Sequence, residues 1–273
     1  MSFRLAGPLL LVGAGKMGGA LLAGWLREGL DPKSILIRDP EPSPDVAALI
    51  ARHDIATGAA IKPELPPSVI LLAVKPQIIS EVLTGVAPMM GKDTVLLSIA
   101  AGRTLSNLAQ RLPTGAPVVR AMPNTPAAIG RGMSVACAND AVTRDQALRC
   151  TMLLEGVGEV IWIDDEEMMD AVTAISGSGP AYVFLFAECL ANAGIEAGLD
   201  PDLAMRLARA TISGAGELLR VSTASPSALR ENVTSPQGVT AAALEVLRAK
   251  GGFKELLARA VESAAKRSRE LSA

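Results

Sequence analysis

The chain has 273 residues, 49% of them hydrophobic and 20% charged, which is material for a sizeable core in one large or two modest domains. A formal net charge of −2 gives no electrostatic footprint for nucleic acid. The mean hydropathy of +0.34 comes from aliphatic residues such as Ala, Leu and Val, since aromatics are only 3%, and it predicts apolar surface buried between copies of the chain.

Leu9–Val12 is a short apolar run, long enough for a buried strand. It ends in Gly13-Ala14-Gly15-Lys16-Met17-Gly18, a G-x-G-x-x-G pattern, and a helical apolar pattern follows from Ala20 to Leu26. Strand, glycine turn and helix in that order is the context of a dinucleotide site. Gly13 permits the tight turn, Gly15 lets a pyrophosphate approach the backbone, and Gly18 lets helix and strand pack closely. The unpaired N–H groups and the dipole at the helix start hold the phosphates. A plain Gly-rich turn of an α/β protein is the alternative. The N-terminal apolar run mimics a signal peptide, but Lys16 interrupts it, so a cytoplasmic protein without a membrane span is expected.

Ile35–Ile37 is a second strand ending at Arg38-Asp39-Pro40. The tip of this strand meets the adenosine ribose: an acid there favours NAD, an Arg accommodates the 2′-phosphate of NADP. Arg38 comes first after the apolar run and favours NADP, with NAD as the alternative. Val46–Arg52 is a predicted helix, and His53, the only histidine, reads as a surface residue. The strand Val69–Val74 stops at Lys75-Pro76, and Thr94–Ile99 stops at Ala100-Ala101-Gly102. Such ends line the ligand crevice of a parallel sheet. A helix is predicted over Thr104–Leu112 with Thr104 as cap. Val118–Ala121 is a strand broken by Met122-Pro123-Asn124-Thr125-Pro126, a rigid corner. Met133–Ala138 and Glu159–Ile163 are closing strands around a helix over Arg144–Leu154.

Strands and helices alternate to Ile163, which predicts a mostly parallel, doubly wound sheet with helices on both faces in a domain of residues 1–163. Residues 164–273 read as an all-α domain with helices over Glu166–Ile175, Ala181–Ala197, Asp200–Arg220, Pro226–Glu231, Pro236–Ala249 and Phe253–Leu271. Asp200-Pro201, Ser225-Pro226 and Ser235-Pro236 have the form of a cap followed by Pro at the first helical position. Apolar faces all round, with little sheet to cover, call for a second copy. The three cysteines, Cys137, Cys150 and Cys189, form no CxxC pair and read as reduced core thiols. No metal site is expected.

Residues 151–249 contain no Lys and no His, and Tyr182 is the only tyrosine. Carbonyl reductases need a proton donor beside the forming alkoxide. An imine does not, because its nitrogen protonates readily in water, so the composition favours C=N reduction. With Ser235 as cap and Pro236 at the helix start, the N–H groups of Gly238 and Val239 form a carboxylate-sized anion site. Thr240 stands beside it to hydrogen-bond the substrate, with ordinary capping as the alternative. Ser176-Gly177-Ser178-Gly179-Pro180 reads as a small-residue wall for nicotinamide and substrate, or as a plain helix entry.

GAGKMGGAL, AVKP at Ala73–Pro76, SIAAG at Ser98–Gly102, RAMPNTPA at Arg120–Ala127, SGSGPAY at Ser176–Tyr182 and VTSPQGVT at Val233–Thr240 resemble pyrroline-5-carboxylate reductase over almost the whole chain. The resemblance implies reduction of L-1-pyrroline-5-carboxylate to L-proline by NADPH, or by NADH, and an interlocked helical dimer that can assemble into a decamer. It implies that Val12, Gly13, Ala14, Gly15, Lys16, Met17 and Gly18, with Ala73, Val74, Lys75 and Pro76, contact the cofactor. Ala100, Ala101 and Gly102 would lie near its nicotinamide half, with Arg38 and Asn124 as further cofactor contacts. Ser178, Ser235, Gly238, Val239 and Thr240 would hold the substrate, Thr240 catalytically. The family usually carries Gly-Gly after the Pro of its last motif; here Gln237 replaces the first Gly. A β-hydroxyacid dehydrogenase, which would need a catalytic Lys in the helical half, and a non-catalytic dinucleotide sensor are the rival readings.

Overall fold

The computed structural model of the protein describes residues 5–272. It divides into two compact units, one holding the chain through Gly177 together with its end from Ala265, the other Ser178–Ala264.

The first unit is built on strands β1 (Leu9–Val12), β2 (Ile35–Arg38), β3 (Ala56–Thr57), β4 (Val69–Leu72), β5 (Val95–Ser98), β6 (Val118–Met122), β7 (Gly132–Ala138) and β8 (Gly158–Trp162). They form one sheet in the order β3-β2-β1-β4-β5-β6-β7-β8. All neighbours are parallel except β6 and β7. The helices on its faces are α1 (Lys16–Arg27), α2 (Pro44–Arg52), α3 (Ile79–Val86), α4 (Leu105–Ala109) and α5 (Arg144–Glu155). Strand side chains alternate between the faces. Leu9 and Leu11 of β1 therefore join a core with Leu21, Leu22 and Trp25 of α1 and Leu153 of α5. Leu10 and Val12 join another core with Ile79 and Leu83 of α3 and Leu108 of α4. The doubly wound sheet is as expected from the alternating pattern. The chain runs outward from β1 to β3, then crosses back to β4 beside β1, and this switch point opens a crevice at the carboxyl ends of the strands.

Three local expectations are corrected. Helix α3 lies where no helix was predicted, because Pro76 opens a 3-10 turn that hides its start. The helix expected over Thr104–Leu112 is only Leu105–Ala109, although Thr104 does cap it in a capping box with Asn107. Glu166–Ile175 is a 3-10 turn, a short α6 (Met169–Val172) and a π-helical turn over Thr173–Gly177 rather than one regular helix.

The second unit contains α7 (Gly179–Glu196), α8 (Pro201–Val221), α9 (Pro226–Asn232), α10 (Val239–Leu247) and the first part of α11 (Phe253–Ser272). Small residues let α7 and α8 pack: Ala191, Ala204 and Ala208 are buried, and a Cβ on Gly194 would sit 3.3 Å from that of Ala204. Asp200 caps α8 by accepting from the Asp202 and Leu203 N–H groups. Ser225 caps α9 by accepting from Ala228. Many large apolar side chains remain uncovered, among them Phe184 at 67% exposure and Leu185 at 58%. Glu166–Glu196 is long and apolar enough to cross a bilayer by length and composition alone.

Candidate active site

The glycine turn and the end of β4 form one tight joint. Ala73 N–H donates to Val12 O at 2.8 Å. A Cβ on Gly13, whose φ is +90°, would lie 2.8 Å from Ala73 O, and one on Gly18 would lie 2.2 Å from Gly13 O. Both glycines are therefore required by packing. Gly15 differs: a Cβ there would meet nothing within 4 Å, and its φ of −71° is ordinary. Gly15 is exposed and caps α1 with no side chain, so the N–H groups of Lys16, Met17 and Gly18 begin the helix without intrahelical acceptors. Packed glycines below and open space above an uncapped helix start have the form of a cradle able to accept a pyrophosphate. The residues fit a dinucleotide.

The neighbouring strand ends are tied into the same edge. Arg103, just beyond Ala100-Ala101-Gly102, donates from Nη2 to Pro76 O at 2.9 Å, clamping the loop after β5 to the loop after β4. Its Nε is buried with no acceptor among the described residues. Asn124, after β6, accepts from Met133 N–H at 2.9 Å and donates to the carbonyl and hydroxyl of Ser176 at 3.2 and 3.3 Å. A Cβ on Gly177 would sit 2.6 Å from Met122 Cε. The MPNTP corner and the start of the SGSGP segment are thus one structure, joined through a π-turn of the kind common at functional sites. The Asn124 amide holds this joint.

At the tip of β2, the two adjacent polar residues go different ways. Arg38 donates from Nε to Ala59 O at 3.1 Å and from Nη1 to Gly85 O at 3.2 Å. Asp39 accepts from Ala14 N–H at 2.5 Å and from Glu41 N–H at 2.8 Å. The glycine-turn donor at Ala14 is consequently already engaged.

In the second unit, the Ser235–Thr240 segment departs from expectation. Ser235 does not cap α10, and Pro236 is not its first residue. Instead Gly238 N–H donates to Ser235 O at 3.0 Å, closing a turn in which Gln237 takes φ +58°. Gly238 is the N-cap and α10 begins at Val239. The available donors move on by one, to the N–H groups of Val239, Thr240 and Ala241. A Cβ on Gly238 would meet Ser235 Oγ at 2.9 Å. Val239 is 91% exposed, and Thr240 is exposed as well. A side chain in this left-handed conformation costs roughly 1–2 kcal/mol, which a glycine would avoid.

Two segments of the chain match family models: NADP oxidoreductase, coenzyme F420-dependent, over residues 9–102, and pyrroline-5-carboxylate reductase dimerisation over residues 166–271. Pyrroline-5-carboxylate reductase of Pisum sativum is 38% identical, over 96% of this chain and 94% of that one. The chain belongs to the pyrroline-5-carboxylate reductase family. A solved structure of the family member from Coxiella burnetii has a TM-score of 0.90 and 32% identity, covering 98% of this chain and all of that one. The Plasmodium falciparum member, solved with NADP bound, has a TM-score of 0.81 and 30% identity, covering 98% and 99%.

One polar cluster escaped the sequence reading. Arg120 on β6 is 6% exposed, and its Nη1 donates to Glu166 Oε1 at 2.8 Å. The same oxygen accepts from Leu105 N–H at 2.8 Å, joining β6, the start of α4 and the approach to α6. The signal was an Arg inside the apolar strand VVRAM. Cys137, across from Arg120 in the β6–β7 register, has its thiol pushed up to about 11 by burial first and Glu166 second, with Arg120 opposing. Burial takes Cys150 to about 12. These two are core thiols as expected. Cys189, on α7, is exposed instead.

Proposed function

We propose that this chain reduces L-1-pyrroline-5-carboxylate to L-proline with a reduced nicotinamide dinucleotide, NADPH or NADH. Family membership over the full chain supports this, and the observation that carries it at the site is the open cradle at Gly15. When bound, the dinucleotide supplies a hydride to the imine carbon. The glycine turn and the loops after β4 and β5 hold and orient it, with Gly13, Lys16, Met17, Lys75 and Ala101 along its path. The uncapped start of α10 holds the substrate carboxylate through the N–H groups of Val239, Thr240 and Ala241. The Thr240 hydroxyl hydrogen-bonds the ring nitrogen, and the proton that turns the imine into the amine comes from solvent, delivered by water directly or relayed through the Thr240 hydroxyl, which regains its own proton from water. The lack of Lys and His in residues 151–249 suits this reaction, which forms no alkoxide. Most of the acceleration comes from positioning two reactants in a shielded site. The reaction needs both cradles at one cleft, and an interlocked dimer would provide it, with a decamer as the larger assembly. The apolar stretch over residues 166–196 then faces a second copy rather than lipid, in a cytoplasmic enzyme. Loss of nicotinamide absorbance on adding pyrroline-5-carboxylate tests the activity; tight NADP binding without turnover would indicate a sensor instead. Thr240→Ala should lower kcat/KM by about 10- to 100-fold, and unchanged kinetics would remove Thr240 from the reaction.

A further inference from the structure

The sequence leaves two candidates for reading the adenosine ribose, Arg38 and Asp39, and the structure separates them. Both hydrogen bonds found for Arg38 run to backbone carbonyls, Ala59 O and Gly85 O. The guanidinium also lies against α3, 3.3 Å from where a Cβ on Gly85 would be. Asp39 has its carboxylate fixed at the glycine turn by Ala14 N–H, with the other oxygen fixed by Glu41 N–H. Each carboxylate oxygen has two acceptor positions, so each retains one. A ribose with free 2′- and 3′-hydroxyls offers donors to those positions. A 2′-phosphate offers none and brings roughly two negative charges against a carboxylate whose position is already set.

Building on the dinucleotide reading of this site, we infer that Asp39 is the residue that sets cofactor selection here, favouring the unphosphorylated ribose of NADH and penalising the 2′-phosphate of NADPH. NADPH still enters, at an affinity that Asp39 lowers. Arg38 braces the tip of β2 against α3 and the loop at Ala59, and is not the phosphate receptor.

The test uses the full-length assembled enzyme and two fragments, ADP and 2′,5′-ADP, titrated by calorimetry, so that selection is read apart from turnover. Asp39→Asn keeps an oxygen for Ala14 N–H and removes the charge; Asp39→Ser serves if the first variant is unstable. Either should raise the affinity for 2′,5′-ADP relative to ADP by at least about 10-fold, and kcat/KM for NADPH over NADH should move the same way. Arg38→Ala should leave the fragment ratio within about threefold. An unchanged ratio in both Asp39 variants, or a selective loss of 2′,5′-ADP binding in Arg38→Ala, overturns the inference while the dinucleotide site stands. Failure of both fragments to bind the unaltered enzyme overturns the site and the inference together.

Discussion

Gly15 and Gly18 sit three residues apart in one motif, yet their surroundings are opposite, open at Gly15 and tightly packed at Gly18, and replacing each with Ala separates them. At Gly15 the backbone is at φ −71°, ψ −158°, which any residue adopts, and the new methyl meets nothing within 4 Å. Restricting the unfolded chain should then stabilise the protein by about 0.4–1 kcal/mol. With about 2–4 °C per kcal/mol for a chain of this size, Tm should stay level or rise by roughly 1–4 °C. The methyl nonetheless occupies the space over the α1 N–H groups. Losing one charge-assisted hydrogen bond, about 1.5–3 kcal/mol, weakens NADPH binding roughly 10- to 150-fold. At Gly18 the methyl would lie 2.2 Å from Gly13 O and 3.2 Å from Ala73 Cβ, so backbone must move. That costs about 1–3 kcal/mol, or roughly 2–12 °C in Tm. Scanning calorimetry at one fixed protein concentration, with calorimetric titration of NADPH, reads both effects. If Gly15→Ala binds NADPH as tightly as the unaltered protein, the pyrophosphate does not lie on this turn and the cradle argument fails.

Arg120→Met should destabilise by about 2–4 kcal/mol, because it leaves the part-buried Glu166 without its cation. Glu166→Gln should cost less, since the amide oxygen still accepts from Leu105 N–H, and the double variant should cost less than the two summed; urea denaturation of the four proteins would show strict additivity if the pair were not coupled. Gln237→Gly should relieve about 1 kcal/mol of left-handed backbone strain against a similar gain in unfolded freedom, leaving Tm within about 2 °C, whereas a β-branched Val should lower it clearly; equal Tm for Gly and Val would refute the turn. The Cys150 thiol, raised by burial from 9.0 to about 12, is protonated in the folded state where the unfolded chain has already lost its proton. Its contribution is complete below about pH 9 and declines above it by about 1.4 kcal/mol per pH unit. Urea midpoints at about pH 8 and about pH 10.5 should therefore fall more steeply for the unaltered protein than for Cys150→Ala, and parallel slopes would refute the assignment.

Local chemistry that depends on neighbours in sequence was readable. The strand, glycine turn and helix from Leu9 onward follow from steric demands within a few residues, and so do the caps at Thr104, Asp200 and Ser225. Ser235-Pro236 looks the same as Ser225-Pro226 in one dimension, yet only the latter starts a helix. The difference is Gln237, which adopts a left-handed conformation and closes a turn before α10, a choice that propensity alone assigns to Gly. At Arg38-Asp39 the sequence places two candidate ribose readers side by side. Which one turns toward Ala14 depends on carbonyls at Ala59 and Gly85, distant in the chain. The Arg120–Glu166 link and the Asn124–Ser176 joint are long-range in the same sense. The helical half was legible as needing a partner because its apolar residues cover too many faces for one copy to bury.

Those uncovered residues on α7, Val183, Phe184, Leu185 and Phe186, have a consequence for the life of the protein. Where folding and pairing are linked, robustness rises with the amount of protein present. A freshly synthesised solitary chain carries its most water-averse surface bare and is exposed to aggregation until it meets its twin. Scarcity would therefore shorten its survival in the cell even when every residue of the catalytic apparatus is intact.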